Sequence, residues 1–526
     1  MDAMILGSAT RCSIVFFVVT TIVYGMLGYG GIRSPDGEVM FRTAESLADR
    51  GSFAVPEGTD WKDFGLPQGV DGRRYSLFGP GQALACVPFV KAGQLINRTK
   101  WYEGAPQWVP ISHYVNGGLL DFVSDRVPRD CEPHALRFIV CSFNVLVGAL
   151  AVVLFFLFAR RLADSNLAAC CVTILFAFGS LLMPYAGTFF SEPLGTLLVM
   201  LSLYCLVGNE TDAKKDVWSR RRHWSRIAFS GLALGLAVAT HITAILFAPF
   251  FLAYAMNPYH GSNRSIGGTM LAGVVFATSL GLLLVVLGYY NFVRFGSVLE
   301  TGRTADPNVV YSGFVAPWRG LKGLLFSGGK GIVWFCPAAV MGVLGWRPFC
   351  RKFRFLSIVI LAAVVFRVCF IACRSDWSGG FCLGPRYLVM AVPFLMLPLA
   401  VAIAQWFQEG RRTAVIGFCV LSYLCVVEQT CFCCGEIFSF LHAVKWTGMA
   451  QNFNVFENDW LYLSWQASPL LNLVNWRRGA YGLRLVPTDV GNHALWCGAA
   501  LVVGAMLFLI YWRLLCEMPR SAVQND

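Results

Sequence analysis

Long apolar runs separated by short charged loops set the rhythm of this chain. The first run occupies residues 12–29. Others follow near 136–158, 167–185, 187–208, 227–241, 242–256, 268–290, 331–346, 355–373, 388–405, 413–430 and 493–513. A helix needs about 20 apolar residues to cross the hydrocarbon core of a bilayer, so the pattern predicts about twelve spans. The stretch 227–256 is long for one span and short for two, and it is divided at His241 because that division makes the loop charges coherent. Arg11 precedes the first run and no small-residue cleavage pattern follows it, which predicts a retained span rather than a removed signal peptide. Between the first two runs lies a polar segment, 30–135, with one semi-apolar piece from Gln82 to Ile96. This piece contains Pro88 and Lys91 and predicts an interfacial helix.

Loop charges then give an orientation. Arg160-Arg161, the run from Lys214 to Arg226, Arg264, Arg347 with Arg351, Lys352 and Arg354, Arg411-Arg412, and Arg513 all fall on one side. The excess of basic residues in short cytoplasmic loops makes that side the cytoplasm, with both termini there. Loops 30–135, 291–330, 374–387 and 431–492 face the other way. The expected fold class is an all-α polytopic membrane protein of about twelve transmembrane helices. A transmembrane module, 1–430, includes the extracytoplasmic loop 30–135; an extracytoplasmic segment and a last transmembrane helix make up 431–526. No retention signal ends the chain at Gln524-Asn525-Asp526, so a bacterial inner membrane is expected in preference to the endoplasmic reticulum.

Composition supports this class and removes others. The chain is 56% hydrophobic and 14% charged, with a mean hydropathy of +0.58, where a soluble chain carries about a quarter charged residues. The net charge of +12 sits largely in the orienting loops and does not signal nucleic acid. Most of the 19 cysteines lie in apolar runs, where they act as small hydrophobes. No paired C-x-x-C motif suggests zinc, and no Walker-type phosphate loop suggests an ATP-driven pump.

Candidate chemistry collects on the outward face. Asp36 and Glu38, flanked by Arg33 and Arg42, stand just beyond the first span, where carboxylates suit proton abstraction or cation binding; alternatively, Asp36 caps a helix starting at Gly37. Arg73-Arg74, in the turn-rich piece 71–82, suits a phosphate headgroup or anionic lipid. Glu192 is an acid in the tight turn 185–194. Arg294, Lys330 and Arg386 each stand where a span meets the outer surface, the last beside Asp376 and Tyr387. Arg367 lies inside a span, where a charge marks a functional candidate or snorkels to the surface. Converging cations opposite carboxylates describe a site for an anionic lipid and a neutral polar substrate.

In this order, Ser34-Pro35-Asp36-Gly37-Glu38, the run Tyr75 to Gln82, Ser191-Glu192-Pro193-Leu194, Asn291 to Ser297, Gly323 to Gly331 and Trp377 to Tyr387 resemble the integral-membrane GT-C glycosyltransferases. The resemblance is to the bacterial relatives of protein O-mannosyltransferases and aminoarabinose transferases, and it covers most of the span pattern. It implies Asp36 as the acid that serves as catalytic base or orients the acceptor, and Glu192 as supporting acid. It also implies a donor phosphate met by Arg294 and Arg386, with Arg74 and Lys330 as further candidates. Glu38, Asp376 and Tyr387 complete the substrate-binding set. Leu77 departs from the polar or basic residue the pattern would carry. The acids do not form the Asp-Asp or Asp-x-Asp pair of metal-dependent members, so no cofactor is assigned and a divalent cation stays open. The implied activity is inverting transfer of the GT-C class, moving a sugar from a polyprenyl-phosphate donor to a lipid, glycan or protein acceptor, with membrane lipid as the further partner. Trp446, Trp460, Trp465 and Trp476 would cover the cavity or form an interfacial belt. The alternative is a transporter or flippase of a lipid-linked or small polar substrate, which would set acids and cations deep in the spans.

Overall fold

A computed structural model describes residues 2–28, 30–32, 34–56, 65–105, 131–208, 217–257, 265–304, 313–434 and 437–474. Helix α1 (Asp2–Leu27) leads through Ser34 into α2 (Pro35–Arg50). Ser34 caps α2, its hydroxyl accepting from the Gly37 N–H at 3.1 Å, with Pro35 at the first helical position. Gly51 closes the helix in the left-handed region at φ 62°. A small antiparallel ribbon pairs β1 (Ala54–Val55) with β2 (Arg74–Tyr75). Helix α3 (Pro80–Thr99) contains the expected interfacial piece and packs against α2 and α4 (Cys131–Ala163).

The bundle continues with α5 (Asn166–Gly179), α6 (Leu182–Ala186), α7 (Glu192–Leu206) and α8 (Val217–Thr240). A 3₁₀ segment, Ile242–Phe247, then opens α9 (Ala248–Ala255), and α10 (Ile266–Phe295) follows. Among the described residues six helices are long and apolar enough to cross a membrane: Ala9–Leu27, Ala135–Ala163, Ile266–Phe295, Arg354–Ala372, Arg386–Gln408 and Arg412–Cys433. Asn166–Gly179, Glu192–Leu206 and Ile242–Ala255 are shorter apolar helices. The expected last span, 493–513, lies outside the described residues, as do Arg33, Arg513 and Trp476.

The division of 227–256 is visible in the backbone. α8 ends at Thr240, and His241 is extended at φ −145°. Gly231 lies against Phe276 and Leu280, and Gly235 against Leu283, so α8 runs parallel to α10. Met256 lies back against Gly273, near the start of α10, so the chain has reversed at His241. The expected span 331–346 is instead broken into α12 (Ile332–Phe335), α13 (Pro337–Met341) and α14 (Val343–Lys352), which follow α11 (Pro317–Phe326). Pro337 lacks the N–H an unbroken helix would use. Gly342 presses so close to α16 (Val392–Gln408) that a Cβ there would lie 1.8 Å from the Leu395 carbonyl oxygen. Helix α15 (Arg354–Ala372) precedes α16, and α17 (Arg412–Cys434) and α18 (Ile437–Ala450) follow it. α16 is buried along nearly its whole length and forms the middle of the core with α4 and α5.

The basic loops share one end of the bundle. There Arg161 donates to the Tyr204 and Val207 carbonyls, Arg226 to those of Cys205 and Val207, and Lys352 to that of Leu162. Each satisfies carbonyls left open where a helix ends.

At the opposite end a buried ion pair fastens α2 to α4. Arg137 Nη2 lies 2.7 Å from Glu38 Oε1 and its Nε 3.1 Å from Oε2, while Arg42 Nε approaches Oε1 at 2.9 Å. Burial alone would raise the Glu38 carboxyl, but the charge and hydrogen bonds of Arg137, then Arg42, outweigh it and hold the group below its ordinary value. Its stabilising effect is therefore complete above the ordinary carboxylate range and is lost as pH falls through the lowered value. Replacing Glu38 by Gln leaves Arg137 buried without its counter-charge and is expected to destabilise the protein by about 3–5 kcal/mol. Thermal unfolding in detergent checks this, with the half-exposed Glu45→Gln as a near-neutral control.

Candidate active-site cavity

The helix ends opposite the basic loops surround a cavity of about 700 Å³, including its open mouth. Its polar lining comprises Asp36, Glu192, His241, Asn291, Arg294, Arg303, Arg386 and Tyr387. Met40, Leu77, Phe78, Val238, Ile242 and Leu287 supply the apolar lining. Three guanidinium groups and two carboxylates thus share a small, partly apolar space.

Asp36 reaches this lining because Ser34, rather than Asp36, caps α2. Its Oδ2 accepts from Arg386 Nη1 at 2.7 Å. Arg386 Nε also stands 3.4 Å from Glu192 Oε1, and His241 Nε2 lies 3.9 Å from that same oxygen. The Arg386 guanidinium carbon lies 4.9 Å from the Phe190 ring centre and 5.2 Å from that of Tyr387. Aromatic faces on a cation hold it in position. Glu192 Oε2 and Arg386 Nε are buried without a hydrogen-bond partner among the described residues. Buried polar atoms left unmatched in a cavity call for a ligand or water to complete them.

Local sequence explains how these groups arrive. The turn carrying Phe190, Ser191 and Glu192 is clasped by Asn144, whose amide donates to the Thr188 carbonyl at 2.6 Å and to that of Phe190 at 2.7 Å. Gln82 donates to Asn144 Oδ1 at 3.1 Å. Gly79 and Gly81 let the loop before α3 touch the break after α8. A Cβ at Gly79 would stand 2.1 Å from the Ala239 carbonyl oxygen, and one at Gly81 would stand 2.4 Å from Thr240 Oγ1. Arg294, near the end of α10, donates from Nη1 to the Ser76 carbonyl at 2.6 Å and from Nη2 to Asn291 Oδ1 at 2.8 Å. It ties the 65–79 loop to α10 as well as lining the cavity.

The cavity brings together five of the residues singled out from the sequence: Asp36, Glu192, Arg294, Arg386 and Tyr387. Four others lie elsewhere. Glu38 is committed to Arg137 and Arg42. Arg74 sits in the ribbon and donates to the Leu66 carbonyl at 3.3 Å. Lys330 is buried and donates to the carbonyls of Gly380 and Cys382. Asp376 pairs with Arg374 at 2.5 Å; burial would raise its carboxyl, but the hydrogen bond and charge of Arg374 hold it below the usual range. Arg367 does not snorkel: it is fully buried and donates to the Tyr387 and Thr243 carbonyls. Trp465 packs on Gly328 and Trp334, and Trp460 on Phe453, outside the cavity lining.

His241 and Arg303 line the cavity without having been singled out for chemistry. His241 carried a signal, as a polar residue at the midpoint of a doubled apolar run. Arg303 is half-buried with no hydrogen bond or ion pair among the described residues, on a turn where Glu300 accepts from the Gly302 and Thr304 N–H groups. Among the described residues no group of three His, Cys, Asp or Glu side chains converges to hold a metal ion.

Gly79→Ala is expected to push the loop before α3 away from the break after α8 and to destabilise the protein by about 1–3 kcal/mol, the usual scale for overpacking. A lowered melting temperature would show it.

Comparison with known proteins bears on the fold. Residues 121–297 match the family model for dolichyl-phosphate-mannose-protein mannosyltransferase. No curated protein matches the sequence significantly. Among solved structures, ArnT from Cupriavidus metallidurans in the apo state matches with a TM-score of 0.50 and 12% identity, over 97% of this chain and 77% of ArnT. The archaeal oligosaccharyltransferase AglB from Archaeoglobus fulgidus, in complex with an inhibitory peptide and a dolichol-phosphate, matches with a TM-score of 0.51 and 12% identity. That match covers 86% of this chain and 59% of AglB. The family model and the fold together support the resemblance read from the sequence, to the GT-C superfamily of integral-membrane glycosyltransferases.

Proposed function

We propose that this protein transfers a sugar from a polyprenyl-phosphate donor to an acceptor hydroxyl, with Asp36 as general base. The observation that carries this reading is the arrangement around Arg386. One carboxylate, Asp36, is held on its guanidinium; its Nε, 3.4 Å from Glu192 Oε1, and the neighbouring Glu192 Oε2 make no hydrogen bond among the described residues; and a further guanidinium, Arg303, lines the same cavity with no hydrogen bond or ion pair among the described residues. The matched family model is named for a dolichyl-phosphate sugar donor, and the AglB structure contains dolichol-phosphate. A lipid-linked phosphate fits a cavity whose lining combines guanidinium groups with apolar side chains such as Leu77, Ile242 and Leu287.

In this reading Asp36 takes the proton from the acceptor hydroxyl as its oxygen attacks the anomeric carbon. The bond from that carbon to the phosphate oxygen breaks, and its electrons leave on the phosphate. Arg386 and Arg303 stabilise the charge that develops there, and Arg294 holds the wall in place. Attack from the face opposite the phosphate inverts the anomeric centre. Glu192, beside Arg386 and His241, orients the first of these cations. The loops that carry the cavity lie opposite the basic end, which under the positive-inside rule supports an extracytoplasmic site; the membrane in this reading is a bacterial inner membrane. The acceptor is a lipid, glycan or protein.

Turnover of a radiolabelled polyprenyl-phosphate hexose by the purified protein in lipid nanodiscs tests the reading. Asp36→Asn is expected to bind the donor and to lower transfer at least about 100-fold, within the range that general-base catalysis contributes. Full transfer by this variant would remove Asp36 from the base's role, and absence of binding and transfer by wild type across several sugars would reject the glycosyltransferase reading. Arg303→Ala is expected to weaken donor binding by about tenfold, the loss of one charge-assisted hydrogen bond to phosphate. Donor titration by filter binding reads this directly.

A further inference from the structure

The segment that delivers Arg386 is rich in glycine held in an uncommon backbone region. Gly379, Gly380 and Gly384 all adopt left-handed backbone, at φ 71°, 73° and 56°. Glycine is the residue that enters this region readily, and it leaves the chain free to take other conformations. Arg386 nonetheless meets Asp36 at 2.7 Å, which requires the backbone on both sides of it to be fixed.

Two buried cations do this. On the N-terminal side, Lys330 Nζ donates to the Gly380 carbonyl at 2.8 Å and the Cys382 carbonyl at 2.7 Å, and lies 3.0 Å from Cys382 Sγ. On the C-terminal side, Arg367 Nε donates to the Tyr387 carbonyl at 2.9 Å, and its Nη1 to the Thr243 carbonyl at 2.9 Å. The second bond ties the segment after Arg386 to the 3₁₀ segment beside His241. Lys330 and Arg367 are 1% and 0% exposed, and neither lines the cavity. Among the described residues neither is ion-paired with a carboxylate. A buried cation without a carboxylate in direct contact is a poor source of stability, since an apolar side chain of similar size avoids its desolvation. Its value here lies in strong, directed hydrogen bonds to backbone carbonyls on either side of Arg386.

We infer that Lys330 and Arg367 are positioning residues that fix Arg386 from its two sides, acting on sugar transfer only through that guanidinium. The inference rests on the reading of the cavity as a transferase site, and it replaces direct contact of Lys330 with the donor by an indirect role.

A double-mutant cycle separates the two roles. Arg386→Lys is expected to lower transfer about 100-fold, the scale of one preorganised donor to developing charge. Lys330→Met is expected to lower it about tenfold in the wild-type background, and less than about twofold when Arg386 is already Lys, because groups acting as one unit are non-additive. Arg367→Lys, which keeps the charge but cannot bridge both segments, should behave in the same way. An equal loss in both backgrounds would overturn the inference.

Hydrogen exchange on the full-length protein in nanodiscs gives a readout independent of turnover. Amides of residues 378–390 are expected to exchange at least about threefold faster in Lys330→Met, while those of 395–408 stay unchanged, as for a locally released segment. Unchanged exchange at 378–390 would also overturn the inference. If wild type transfers no sugar, the proposed function fails and the exchange measurement alone decides the clamp. Lys330→Arg substitutes in both experiments should Lys330→Met not fold, with the same outcomes.

Discussion

A membrane-spanning chain can break its helices only where other groups take up the freed backbone N–H and C=O, because lipid offers no partners for them. The architecture of this protein follows from that constraint. Its helices break after Gly179, at His241, around 327–331 and across 373–385, and side chains answer the openings. Asn144 takes the Thr188 and Phe190 carbonyls, Arg367 those of Thr243 and Tyr387, and Lys330 those of Gly380 and Cys382. Tyr185 bridges two breaks, its hydroxyl donating to the Leu383 carbonyl at 2.7 Å. Most polar residues inside the bundle thus serve the backbone first. Asp36, Glu192, Arg303 and Arg386, whose side chains make no hydrogen bond to a backbone carbonyl among the described residues, face the cavity.

This ordering explains which parts of the molecule were legible in the amino-acid sequence. Hydropathy averaged over a span is insensitive to single residues, so the long helices α4, α10, α15 and α16 could be read directly. The reversal at His241 was legible through loop charge, which alternates correctly only if the chain turns there. The break of 331–346 was not, because Pro337 and Gly342 are unremarkable in transmembrane helices, and the close packing of Gly342 on Leu395 is visible only in the fold.

The cavity was legible to a lesser degree, for a related reason. A charge at a membrane surface looks the same in sequence whether it faces a ligand or a carbonyl. Asp36 and Arg386 meet across 350 residues, and Glu38, only two residues from Asp36, turns to Arg137 instead. On the helix α2 those two carboxylates point in different directions, about 200° apart around the axis. Arg303 stands in a long loop without a flanking motif, and nothing local distinguishes it from Arg319, which pairs with Asp459 at 2.8 Å.

The turn at His241 bears on how the chain enters its membrane. The 3₁₀ segment and α9 together extend only about 24 Å, less than the hydrocarbon core of about 30 Å. Such a piece is a weak insertion signal alone, and with its partner joined by the single extended residue His241 there is no linker by which the two could partition separately. α8 and the segment after it form one helical hairpin, a unit expected to insert as a whole, with the residue at its tip, His241, carried to the end of the bundle where the cavity lies.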